Sequence, residues 1–325
     1  MENKLKIFYT KDWPATGTGK PDYELLDTGE GEKLERFGQH VFVRPYEDAV
    51  WPKTLPKKDW ASIDGKFWSS KTGAKAGWKM EKKFAERWPM EYKGIKFMAS
   101  PTPFRHLSFF PEQATHWDFI EQKINEALAH EKNFAALPAS GRAPGQNLSR
   151  ASGLKFLNLF GYTGVASLFA LRAGAEVTHL DASSQSLKIA KENQELSGLE
   201  NLPMRIIEDD VIKFLEREVK RGNKYDAVIM DPPKFGRGPK GEVWKLEENL
   251  PKLLDLVKKV LSDDPLFVIL TSYAIDASAL SLGYALSEKM KDFKGGVEAG
   301  EMCVLEKSNN RVIPLANTAV WSKSL

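Results

Sequence analysis

Lys155–Asp181, KFLNLFGYTGVASLFALRAGAEVTHLD, is the stretch whose reading decides the fold. Phe156 to Phe160 form an apolar run that reads as a short buried strand. Gly161-Tyr162-Thr163-Gly164 makes a tight turn, and Val165 to Ala173 follow as an apolar helix stopped by Gly174. Val177 to Leu180 read as the next strand, with Asp181 at its carboxyl end. This is a βαβ unit with an acid about 20 positions past its first glycine, the spacing at which a carboxylate meets a ribose. Glycines at 161 and 164 can adopt backbone angles closed to other residues and let a ligand lie against the chain. A dinucleotide site needs G-x-G-x-x-G, and Tyr162 and Thr163 leave that phosphate cradle incomplete. The pattern favours a nucleoside ligand without phosphates, although a purely structural turn also explains an isolated G-x-x-G.

Downstream, strands and helices continue to alternate. Ser186 to Ser197 predict a helix, Met204 to Ile207 a strand closed by Glu208-Asp209-Asp210, and Val211 to Val219 a second helix. Tyr225 to Met230 predict a strand leading into Asp231-Pro232-Pro233-Lys234-Phe235. Leu246–Leu261 reads as amphipathic helix, Leu266–Leu270 as strand and 277–291 as helix. Glu298–Leu305 and Arg311–Trp321 alternate as a closing hairpin. The expected fold is α/β: a doubly wound, mostly parallel, seven-stranded Rossmann-like sheet, with ligands at the strands' carboxyl ends. Asp181, Asp210 and Asp231 all fall there.

Upstream the pattern changes. Residues 1–20 read as a tail, and YELLDTG, HVFVRP and DAVW read as short β pieces. Gln113 to Glu131 predict a helix, followed by the Pro/Gly/Ser-rich loop LPASGRAPGQNLSRASG. The expected domains are a β-rich region over 1–135, an exposed loop over 136–153, and a ligand-binding domain over 154–325. From Lys53 to Arg105, 13 Lys/Arg stand against 5 Asp/Glu, a net +8, and Trp51, Trp60, Trp68, Trp78 and Trp88 lie in or beside this stretch. Cations interleaved with aromatics suit phosphate neutralisation and base stacking. A tryptophan core under a solvated lysine face explains the same composition.

Cys303 is the only cysteine, which excludes an internal disulfide and a cysteine-based zinc site. His40, His106, His116, His130 and His179 have no metal spacing, so no metal is expected, and His179 reads as packed within its strand. No signal peptide or membrane-length apolar run is evident, which predicts a cytoplasmic protein.

S-Adenosylmethionine fits the nucleoside site, with Asp181 accepting from both ribose hydroxyls and Phe160, Gly161, Tyr162, Thr163, Gly164 and Ala182 around it. Asp210, flanked by Asp209 and Val211, is placed to accept from the adenine amine, or else to cap the following helix. In DPPKF, Pro232 and Pro233 fix the backbone and remove two N–H donors, leaving carbonyls and the Asp231 carboxylate as acceptors. An amino group on a flat base can donate to that set while Phe235 stacks on its ring. A rigid strand-to-loop turn is the simpler alternative. Lys234 can touch a phosphate or be solvated, and the basic loop 236–242 reads as a substrate lid or a linker.

Together these residues resemble class I S-adenosylmethionine-dependent methyltransferases. Residues 90–323 resemble the 23S rRNA large-subunit methyltransferase family that includes cytosine-C5 and guanine-N7 enzymes, through NLFGYTG, THLDAS, KENQELSGL with Asn193, EDDV, DPPKF and the closing hairpin. The resemblance implies RNA, ribosomal RNA in particular, as substrate. His106 to Gln113 resembles the family's strand-to-helix segment ending in Asp-Gln-Arg, which implies a supporting cofactor role for Gln113; here Glu112 and Ala114 replace the flanking residues. Cytosine-C5 members carry a cysteine after a serine past the fifth strand, and Leu270-Thr271-Ser272-Tyr273 has Tyr273 there. C5 chemistry needs that thiolate, so direct displacement onto a base nitrogen is expected. Methylation of a small molecule or protein side chain, or RNA binding without turnover, are the alternatives, with a nicotinamide dehydrogenase more distant.

Overall fold

The computed structural model describes residues 5–10, 13–68, 76–136, 153–273 and 278–323, without side chains over 131–136. In chain order the elements are β1 (Lys6–Tyr9), β2 (Tyr23–Gly29), β3 (Glu32–Phe37), β4 (His40–Pro45), α1 (Lys57–Ala61), β5 (Gly65–Trp68), β6 (Gly77–Met80), β7 (Trp88–Tyr92) and β8 (Ile95–Ala99). A 3-10 turn, Pro111–Gln113, leads into α2 (Ala114–Ala136). Then come β9 (Lys155–Leu159), α3 (Val165–Arg172), β10 (Glu176–Asp181), α4 (Ser184–Leu196), β11 (Met204–Glu208), α5 (Val211–Arg221) and β12 (Ala227–Met230). The chain ends with β13 (Phe235–Arg237), β14 (Val243–Lys245), α6 (Leu246–Val260), β15 (Phe267–Ser272), α7 (Ala279–Met290), β16 (Gly296–Leu305) and β17 (Val312–Ser322).

One compact unit comprises residues 1–7, 116–301 and 316–325. Its sheet has the order β1-β16-β17-β15-β12-β9-β10-β11. β15, β12, β9, β10 and β11 are mutually parallel, and β17 runs antiparallel to β15. The strand order therefore reverses between β9 and β12. In an open α/β sheet that switch point opens a crevice at the strands' carboxyl ends. Leu157, Leu159, Val228, Met230, Val268 and Leu270 form one buried face against α5, α6 and α7. On the opposite face Trp117 of α2 stacks on Phe169 of α3 at 5.6 Å, and Phe119 meets Phe267 at 5.4 Å. The seven expected strands are present, and β1 adds an eighth where a tail was expected. A side chain at position 300 would run into the backbone of Lys6, so Gly300 is what lets β1 approach β16.

The second unit comprises residues 8–115 and 302–315. Here β2–β6 form a five-stranded sheet in sequential order, and β7 and β8 pair separately. The division falls at Thr115/His116 rather than in the loop 136–153, most of which lies outside the described residues. DAVW is not a strand: Ala49 N–H donates to Tyr46 O at 3.1 Å and closes a turn. Trp13, Tyr23, Phe37, Tyr92, Phe97 and Phe109 form a buried aromatic core. At its side Arg44 makes a two-bond fork to Glu35, 2.6 Å each, and Tyr23 Oη donates to the same carboxylate at 3.0 Å.

The tryptophans here are mostly structural. Trp51 Nε1 donates to Thr28, Trp60 Nε1 to Asp27 and Trp78 Nε1 to the Thr102 carbonyl, and Trp88 is buried. Trp68 alone among the five is exposed. Lys53, Lys66, Lys79 and Lys82 pair with Glu32, Glu32, Glu81 and Asp64. Four of the five tryptophans are thus held by hydrogen bonds or packing, and these four lysines by carboxylates.

Candidate functional site

The turn after β9 is held in an unusual conformation. Phe160 and Tyr162 both have left-handed backbones, φ 58° and 51°, as does Gly164 at 84°. For residues with side chains this costs on the order of 1 kcal/mol or more each and persists only where the surroundings enforce it. The enforcement is visible. Gly161 N–H donates to Leu180 O at 2.8 Å, Tyr162 N–H to Asp181 Oδ2 at 2.8 Å, and Asn193 Nδ2 to Thr163 O at 2.8 Å.

Beneath the turn runs a buried polar chain. Asn158 Nδ2 lies 2.9 Å from Ser167 Oγ, Ser167 Oγ lies 2.9 Å from His179 Nδ1, and His179 Nε2 lies 3.2 Å from the Tyr162 carbonyl. A carbonyl only accepts, so Nε2 carries the proton, Nδ1 accepts from the Ser167 hydroxyl, and Ser167 accepts from Asn158. Burial holds His179 neutral by lowering its pKa to about 4. His179 is thus packed, as its strand position suggested. Asn158 and Ser167 were not anticipated. The available signal was a polar residue in each of two otherwise apolar elements, KFLNL and VASLFALR.

The glycines' jobs differ from expectation at one position. A Cβ at Gly161 would collide with the His179 ring and stand 3.1 Å from Asn158 Cγ. Its φ is not left-handed, so Gly161 makes room for the imidazole. Gly164 does need its positive φ, and a Cβ there would lie 2.9 Å from Ala190 Cβ.

Asp181 ends β10 with both oxygens engaged, Oδ2 by Tyr162 N–H and Oδ1 by Ser183 N–H at 2.8 Å. Burial raises its pKa, and the backbone N–H groups of Ser183, Tyr162 and Ala182 oppose that shift. Each oxygen keeps a lone pair for a hydroxyl donor.

At the next corner, Asp209 N–H donates to Asp181 O at 3.2 Å, so the EDDV turn adjoins Asp181. The Asp209 carboxylate pairs with Arg217 and accepts from Asp210 N–H at 2.8 Å. Asp210 caps α5, its Oδ1 accepting from Lys213 N–H at 3.0 Å, and Val211 is buried. Capping uses one oxygen of Asp210.

β12 abuts β9 with Met230 opposite Leu159, and Asp231 N–H points at Leu159 O, 3.4 Å away. This brings Asp231 beside Phe160 across the switch point. The DPPKF carbonyls are not all acceptors in waiting, as the sequence suggested. Pro233 O accepts from Trp244 Nε1 at 2.7 Å and Lys234 O from Leu246 N–H at 3.0 Å. Pro232 is buried and Pro233 is exposed. Phe235 opens the β13–β14 hairpin, so 236–242 is a structured turn rather than a loose lid. Glu242 anchors it to Lys213 of α5 at 2.5 Å, and Trp244 packs on Phe160 with ring centres 4.9 Å apart.

Phe160–Gly164, Asp181, Ala182, Asp209–Val211 and Asp231–Phe235 are therefore brought to neighbouring strand ends of one sheet. Gln113 belongs to the other unit, buried in the 3-10 turn with its N–H donating to Phe110 O at 3.1 Å. Cys303 is buried and outside any disulfide in that unit's part of β16, and Tyr273 follows β15 where a thiol would stand in C5 chemistry. Among the described residues no group of His, Cys, Asp and Glu has metal-holding geometry.

The family described as S-adenosylmethionine-dependent methyltransferase matches residues 107–278, more than half the chain. The chain belongs to that family. This methyltransferase also resembles, over nearly its whole length, a crystal structure of the SAM-dependent methyltransferase from Agrobacterium tumefaciens. The two share 36% identity at a TM-score of 0.84, over 98% of this chain and 94% of that one. Ribosomal RNA large subunit methyltransferase K of Neisseria meningitidis serogroup B is 32% identical over 146 residues, 43% of this chain and 41% of the relative. Ribosomal RNA large subunit methyltransferase I of Aeromonas hydrophila is 42% identical over 84 residues, 26% of this chain and 21% of the relative. The chain thus spans less than half the length of these curated relatives.

The enzyme's cofactor is S-adenosylmethionine, and the site fits it. The space beside Gly161 is filled by His179, so that glycine does not admit a pyrophosphate, while Asp181 keeps lone pairs for two hydroxyls. When bound, the cofactor supplies a methyl group activated by its positively charged sulfur.

Proposed function

We propose that this methyltransferase modifies a base nitrogen of RNA, ribosomal RNA first, by direct displacement in the cytoplasm. Asp181 takes the ribose hydroxyls, and Phe160–Gly164 and Ala182 line the nucleoside. The second oxygen of Asp210 takes the adenine amine, with Asp209 and Val211 forming that corner. Asp231 and the Pro232 carbonyl accept from the target amino group, and Phe235 supports its base. The chemistry then needs alignment above all, because holding nucleophile and methyl in line removes most of the entropic barrier. The Asp231 carboxylate stabilises the charge that develops on nitrogen.

The carrying observation is the pairing of an acceptor at Asp231, beside the end of β9 at the switch point, with Tyr273 rather than a cysteine after β15. RNA as substrate is supported by the names of the two ribosomal RNA relatives. Among the described residues no helix is long and apolar enough to cross a membrane.

The test is transfer of labelled methyl from S-adenosylmethionine into RNA, ribosomal subunits and protein from cells lacking this chain. Label in RNA that disappears with Asp231→Ala is the expected result. Label confined to protein or small molecules, with RNA unlabelled, would overturn the RNA reading.

A further inference from the structure

The β13–β14 hairpin has an outer face that its own packing does not explain. Register pairs Phe235 with Lys245 and Arg237 with Val243, so these four side chains share one face, while Trp244 points the other way into the core. Phe235 is 57% exposed and Val243 51%, an aromatic and a branched apolar residue held in water. Arg237 and Lys240 are exposed and neither side chain is in an ion pair among the described residues, the Lys240 backbone N–H donating to Glu242 Oε2 at 2.9 Å, and Lys245 pairs with Glu248 at 2.7 Å. Residues 234–245 carry Lys234, Arg237, Lys240 and Lys245 against Glu242 alone, and Glu242 is already taken by Lys213.

An isolated two-stranded ribbon is marginal in water. This one is fixed at three points: Trp244 Nε1 on Pro233 O, Leu246 N–H on Lys234 O, and Glu242 on Lys213. It is a rigid platform that begins four residues after Asp231, presenting a π face and a guanidinium fork. A planar base stacks on the first, and a phosphate takes the second in two parallel bonds.

We infer that the outer face of this hairpin is the docking platform for the single-stranded RNA that carries the target base: the base meets Phe235, and the flanking strand runs over Val243 and is held through phosphate by Arg237 and Lys240. This rests on the RNA reading above. The excess of cations excludes a basic partner, and the exposed aromatic gives a contact that phosphate binding alone does not need.

The test uses the full chain with a labelled single-stranded RNA that the wild type methylates, titrated from 50 to 200 mM salt. Phe235→Ala should weaken RNA binding by about five- to a hundredfold, with Phe235→Trp restoring it. Arg237→Gln should weaken binding and lower the slope of log affinity against log salt by about 0.7, one phosphate contact on a single strand. S-Adenosylmethionine affinity, measured by calorimetry on the same samples, should stay at the wild-type value and show that each variant is folded. Unchanged RNA affinity and slope in Arg237→Gln and Phe235→Ala, with wild-type RNA methylation intact, would overturn the platform and leave the function standing. Wild type that labels an acidic protein and no RNA would overturn both.

Discussion

A methyl group added at Gly161 has nowhere to go except into the ring of His179. Gly161→Ala should therefore destabilise the enzyme by roughly 1–3 kcal/mol, the usual cost of overpacking, and weaken S-adenosylmethionine binding, both read from thermal melts and calorimetry. Ser167→Ala probes the same chain of hydrogen bonds. Without the hydroxyl, Nδ1 loses its donor, His179 is free to adopt the other tautomer, and Tyr162 O loses its partner. Cofactor affinity should drop severalfold and stability by about 1–3 kcal/mol, because Asn158 Nδ2 also loses its buried acceptor, and nitrogen NMR of His179 should show the Nε2–H tautomer in the wild type and a mixture in the variant. The need for glycine at 161 was legible in GYTG, but its reason was not. That reason depends on the β9–β10 register, which sets Asn158 beside His179, and pattern alone does not give the register.

At the scale of elements, the alternation of strands and helices was plain in the sequence because parallel strands buried on both faces read as apolar runs. The short pieces were not. β13 and β14 have three residues each and flank a Gly/Pro-rich turn, so composition pointed to a loop, while tethering by Trp244 and Glu242 makes the hairpin. Asp210 shows where two roles meet in one side chain. Asp210→Ala should cost about 1 kcal/mol through the lost cap of α5 and also weaken cofactor binding. Asp210→Ser retains a capping oxygen but shortens the reach. It should keep the melting temperature near wild type while S-adenosylmethionine affinity still falls. Equal affinity in Asp210→Ser and wild type would leave Asp210 with the cap alone.

For the molecule as a whole, pH is the informative variable. Burial lowers the pKa of His106 to about 4, of His116 to about 3 and of His179 to about 4. Each lies below the value near 6.5 of an unfolded histidine. The stability these neutral rings contribute is complete above pH 6.5 and is lost as pH falls toward 4. Unfolding free energy from denaturant titration should drop by about 2 kcal/mol per buried histidine between pH 7 and pH 5. Asp181 runs the other way: its raised pKa favours the apo fold at low pH, so S-adenosylmethionine binding, which uses the carboxylate, should weaken as pH falls through that pKa. A two-part organisation was legible in the change from β-rich to alternating sequence. Its seam was not, because α2 joins the sheet unit through Trp117 and Phe119, contacts made with residues distant in the chain.

The central claim is direct methyl transfer to a nitrogen held by Asp231, without a thiol. Its most direct test is mass spectrometry of nucleosides from RNA methylated by the wild type, Asp231→Ala and Cys303→Ser. The account predicts an N-methylated base from the wild type and Cys303→Ser, and at least a hundredfold less, on the order of one lost transition-state contact, from Asp231→Ala. A C5-methylated pyrimidine, or undiminished product from Asp231→Ala, would contradict it.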